Sequence, residues 1–110
     1  MPTGEDMILF VDRAGIYHAM QPLCALRPEQ VAQLTERFRT LARLTAQLDP
    51  HAPDQALLQG MATTRGAILA LVLPTVDPQE LNQLDTNRQL THIVEWQKIH
   101  MPPTHALLPT

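Results

Sequence analysis

At 110 residues and 12.3 kDa, the chain fits one domain around one core, because independent cores occupy roughly 100–150 residues. Hydrophobic residues make up 45% of it but aromatics only 4%, so the apolar mass is aliphatic, of the kind that packs between helices. With 8 Lys and Arg against 11 Asp and Glu the net charge is −3, which excludes a general attraction to phosphate and leaves nucleic-acid binding to local basic clusters.

The first apolar run, Met7-Ile-Leu-Phe-Val11, is β-prone, and a second, Ile16-Tyr-His-Ala-Met20, follows after Asp12-Arg13-Ala14-Gly15. Gly15 supplies the positive φ that a tight turn demands. These features predict a small hairpin over about residues 7–20, which must lean on the rest of the domain because two strands alone are barely stable in water.

Pro28 suits the first position of a helix and Glu29 its positive end. Val31, Leu34, Phe38, Leu41, Leu44 and Leu48 then step by three or four, one apolar stripe along about twenty residues. Arg37, Arg39 and Arg43 flank the stripe beside Glu36; they are the chain's basic cluster, available to phosphate or to an acidic partner. Asp49-Pro-His-Ala-Pro-Asp54 ends this helix. A second runs from Gln55 to Leu73, apolar nearly all round in its second half, with Gly60 and Gly66 marking close approach of a neighbour or a bend. Pro74 stops it.

Asp77-Pro-Gln-Glu80 has the pattern of a helix start, with Asp77 as cap and Glu80 bonding back in a capping box. Thr86 and Gln89 repeat that pattern ahead of a last helix expected to end near Ile99 or His100. Residues 101–110 hold three prolines and no helical periodicity, and are expected to form a flexible tail beyond a single domain over residues 1–100. The fold class expected is mainly α: about four helices with a short N-terminal β-hairpin.

The chemistry expected is none. The single cysteine, Cys24, has no partner for a disulfide and reads as a small apolar filler. Five histidines show no HExxH or CxxC spacing; His92 and His100, eight positions apart, lack a third ligand. There is neither a phosphate loop nor a nucleophile elbow. No cofactor, metal or catalytic residue is implied. The longest apolar run, Ala67–Leu73, covers about a third of a membrane span, and Glu5 and Asp6 stand where a signal peptide carries basic residues, so a cytoplasmic location is expected.

Binding therefore carries the functional expectation. The last helix has apolar Leu90, Ile93, Val94 and Ile99 on more than one face, together with Trp96, the lone tryptophan, set among Glu95, Gln97 and Lys98. An indole so placed either anchors a partner or plugs the end of a small bundle. The surplus of apolar positions favours an interface, with a second copy of the chain as one possible occupant.

The order of parts carries a resemblance over most of the chain. Gly15-Ile16-Tyr17, then Gln21-Pro22-Leu23 with Leu26-Arg27-Pro28-Glu29-Gln30-Val31, and later Arg65 to Leu73 with Pro74, Pro78-Gln79-Glu80-Leu81 and a helix through Ile93 and Trp96, resemble in layout the small tail assembly chaperones of long-tailed bacteriophages. The resemblance implies a non-enzymatic protein that coats the long helical tape-measure protein until tail-tube subunits replace it. The alternatives are a virion structural adaptor, such as a head–tail joining subunit, and a small helical regulator touching nucleic acid through Arg37, Arg39 and Arg43.

Overall fold

The computed structural model describes residues 9–52 and 54–100. Residues 7 and 8 of the expected hairpin and the whole of the expected tail, residues 101–110, lie outside them. Two strands, β1 (Leu9–Val11) and β2 (Tyr17–Ala19), precede α1 (Pro28–Ala46), α2 (Gln55–Val72), α3 (Pro78–Gln83) and α4 (Thr86–His100). The mainly α domain with an N-terminal hairpin, expected from periodicity and caps, is the fold observed.

The strands pair antiparallel, with Leu9 opposite Ala19, Phe10 opposite His18 and Val11 opposite Tyr17. Gly15 takes φ +81 in the turn. Asp12 organises that turn: its Oδ1 accepts from the backbone N–H groups of Ala14 and Ile16, each at 2.9 Å. Since side chains alternate across a strand, Phe10 and His18 share the inner face. Phe10 is fully buried, with the His92 ring edge-on at 5.2 Å and the Arg88 guanidinium 5.8 Å from its centroid.

Helix α2 is the centre of the domain, packed against α1, α3 and α4. Asp54 caps it, accepting from Ala56 and Leu57 N–H. Its last turns supply the buried Ile68, Leu69 and Val72, which meet Leu34, Phe38 and Leu41 of α1, Leu81 of α3 and Ile93 and Trp96 of α4 in one core. A Cβ at Gly66 would overlap the Asn82 side chain and lie 3.3 Å from the Asn82 Cα. That glycine therefore lets α3 sit directly on α2.

Four local expectations change. The stripe of α1 outruns the helix: α1 ends at Ala46, and Leu48 follows it, 41% exposed. Asp77 caps α3 through Gln79 N–H, but Glu80 does not complete a capping box. Its carboxylate accepts from the backbone N–H of Arg13 at 2.9 Å and pairs with that side chain at 3.5 Å, tying the hairpin to α3. Asp85, not Thr86, caps α4 through Arg88 N–H at 2.7 Å, and Gln89 faces inward, fully buried. Cys24 is exposed, because in the 3-10 turn Leu23–Ala25 the three-residue period points Leu23 and Leu26 at the core and Cys24 away.

Candidate partner-binding surface

The α4 residues expected to form an interface divide among three environments. Ile93 and Trp96 belong to the core, at 2% and 1% exposure, whereas Leu90 and Val94 are each 41% exposed and Ile99 is 39%. Leu90 and Val94, one turn apart, form one outward stripe; Ile99 lies about half a turn round the helix from Leu90 and does not join it.

Trp96 as a partner anchor is thereby corrected. Its indole N–H donates to the Gln21 carbonyl at 2.7 Å, while the Gln21 N–H donates to the Val72 carbonyl, also at 2.7 Å. The connector leaving the hairpin is thus clamped between α2 and α4. The polar neighbours of Trp96 in sequence occupy other faces of α4, so they say nothing about the direction of the indole. A buried indole takes a hydrogen-bond acceptor wherever one is in reach, and this one finds the backbone of the connector.

An apolar groove lies beside α4. An apolar depression of about 670 Å³ lies between the C-terminal half of α1, the N-terminal half of α2 and the first turns of α4, walled by Leu41, Leu48, Leu58, Met61 and Leu90. Its volume is that of a site for several side chains. Leu48, Leu58 and Leu90 keep two fifths of their surface in water, and Val94 extends the apolar strip along α4 past Leu90.

One cation stands in this apolar wall. Arg65, on α2, is 5% exposed. Its Nε donates to the Gln89 Oε1 at 2.8 Å and its Nη2 reaches the Thr86 hydroxyl at 3.5 Å. Gln89 in turn donates to the carbonyls of Leu81 and Ala62, which accounts for a fully buried amide. Desolvation lowers the pKa of Arg65 from its ordinary value, although a guanidinium remains charged throughout the accessible range.

The arginines of α1 do not make one patch. All three are exposed, but on a 100° wheel Arg39 and Arg43 lie within about 40° of each other, while Arg37 is well over 90° from both. Arg37 faces the α2–α3 side, beside Gln33 and Asn82. Arg43 donates to the Thr40 hydroxyl of its own helix.

Among the described residues no group of three His, Cys, Asp or Glu is placed to hold a metal ion. His18 is built into a polar chain: Asp12 Oδ2 lies 2.7 Å from its Nε2 and the Thr75 hydroxyl 2.7 Å from its Nδ1. The His18 hydrogen bond is the largest of the effects that lower the Asp12 pKa. Ionised Asp12 only accepts, so Nε2 carries a hydrogen, and a neutral imidazole then accepts from Thr75. The three side chains pin the hairpin to the loop after α2.

A second apolar surface was missed in the sequence. Leu9, Val11, Ile16 and Tyr17 are exposed by 39–69% on the outer side of the hairpin. The signal was present: in Met7–Val11 both alternating positions are apolar, so a strand that buries one face must show the other.

No helix among the described residues is long and apolar enough to cross a membrane. Comparison of the chain with protein-family models, with curated proteins and with solved structures finds no match.

Proposed function

We propose that this chain is a non-enzymatic protein-binding domain that holds an apolar helical segment of a partner in the groove between α1, α2 and α4. The observation that carries the reading is the groove itself: three part-exposed leucines, Leu48 just past α1, Leu58 of α2 and Leu90 of α4, converge on one depression. An amphipathic helix presenting residues at i, i+3, i+4 and i+7 is the standard occupant of such a site. The layout resemblance to tail assembly chaperones makes the tape-measure protein of a long-tailed phage the partner we put forward, since it is long and helical. A virion adaptor would use the same groove permanently, and its presence in purified particles distinguishes the two roles.

The test is co-expression with a helical tape-measure segment, comparing the unaltered chain with Leu58→Ser and Leu90→Ser. Each leucine has about two fifths of its surface left to bury, about 0.6–1.2 kcal/mol of the 1.5–3 kcal/mol that a whole side chain contributes, so each substitution should weaken binding about threefold or more. Melting temperature should hardly move, because both side chains are already partly in water. Unchanged binding in both variants would remove the groove from the function. The splayed arrangement of Arg37, Arg39 and Arg43 gives nucleic acid no comparable site.

A further inference from the structure

Arg65 presents a problem that the fold does not solve internally. The residue is in the wall of the groove and 5% exposed, and both acceptors of its guanidinium, Gln89 and Thr86, are neutral. The ion pairs formed among the described residues join Arg13 to Glu80, His18 to Asp12 and Arg27 to Glu29, so no carboxylate answers this charge. A buried cation is costly until it is paired. A guanidinium also carries five N–H donors in a fork matched to the two oxygens of a carboxylate, and only two of its nitrogens are engaged here.

Resting on the docking reading above, we propose that the partner segment held in this groove carries a glutamate or aspartate at the edge of its apolar stripe, and that this carboxylate pairs with Arg65 beside Thr86. The leucines supply affinity without direction. A single acid–guanidinium pair inside an apolar wall fixes the register and polarity of the bound helix, because a misplaced helix leaves both charges unpaired. Arg65 is held ready for this: Gln89, anchored to two backbone carbonyls, fixes the Nε side of the fork, while Nη2 reaches Thr86, itself a residue of the groove wall.

The experiment uses two sets of helical peptides with leucine at i, i+3, i+4 and i+7. In one set a single glutamate is moved along the border of the stripe; in the other, glutamine takes the same positions. Binding to the unaltered chain is read by fluorescence anisotropy of the labelled peptides. One glutamate position should bind at least about tenfold tighter than its glutamine twin. Arg65→Met, which keeps the aliphatic stem, should bring that ratio close to one, while an arginine serving only to tie α2 to α4 would leave the ratio untouched. If Arg65→Met does not fold, the twin sets on the unaltered chain decide alone. Leucine-dependent binding without a glutamate advantage at any position overturns the proposal and leaves the groove standing; no binding by either set overturns the docking reading as well.

Discussion

Replacing Trp96 by alanine should remove a large share of the domain's stability, and the structure says how much is at stake. The indole is 1% exposed in the core, and removing so large a buried side chain costs about 3–5 kcal/mol in transfer and cavity terms. The Gln21 carbonyl loses its indole donor, which adds about 1 kcal/mol or more for an acceptor left in a mostly dry site. Together, about 4–6 kcal/mol stands against a total of about 5–15 kcal/mol for a domain of this size. Trp96→Phe refills most of the volume but not the hydrogen bond, so it should cost about 1–3 kcal/mol. Urea titration followed by far-ultraviolet circular dichroism resolves the two, with Trp96→Ala moving the midpoint down by about 2 M or more at an m-value near 2 kcal/mol/M. A loss below about 1 kcal/mol for the alanine variant would mean that the indole is not in the core, and the placement of α4 would fall with it.

Two glycines of α2 should respond to the same substitution with opposite sign. Gly60→Ala meets only Leu44 Cδ1 at 3.7 Å, an ordinary contact, and should gain up to about 1 kcal/mol from helix propensity. Gly66→Ala pushes into Asn82 and should lose stability on balance, about 1 kcal/mol, since overpacking costs about 1–3 kcal/mol; equal effects in thermal melts would contradict the close α2–α3 contact. Acid should destabilise the domain in two stages. Burial lowers the His92 pKa from 6.5, so the unfolded chain takes the proton first and stability present above that pH is lost as pH falls below it; His92→Leu should flatten this limb of the melting profile. The Asp12 pKa, lowered from 3.8 chiefly by His18, adds a later loss below that value, and Asp12→Asn should remove it.

The helices were legible because their signals are local. Pro28 and Asp77 start their helices where a first-turn proline or a capping side chain predicts it, α2 begins at Gln55 as expected, and the apolar stripes place Leu34, Phe38, Ile68 and Leu69 inside. What sequence reading missed depends on which partner a polar side chain finds across the fold. Glu80 and Gln89 both stand at a capping-box position, yet each gives up that local bond for a distant one, Glu80 to Arg13 and Gln89 to Arg65. Trp96 shows the same limit from the apolar side, because its burial follows from the connector at Gln21, seventy-five positions away. Of the expected interface residues, Leu90 survives as part of the groove, and Leu48 joins it from the end of the α1 stripe and Leu58 from the first turn of α2. A groove is a relation between helices, and periodicity within one helix does not contain it.

The central claim, that the surface between α1, α2 and α4 receives a partner helix, is tested most directly by methyl NMR of the labelled chain titrated with a leucine-bearing helical peptide. The largest shifts should fall on Leu41, Leu48, Leu58, Met61 and Leu90, with Val94 following at the rim. Shifts confined to Leu9, Val11 and Ile16 on the outer face of the hairpin, with the groove methyls unmoved, would contradict it.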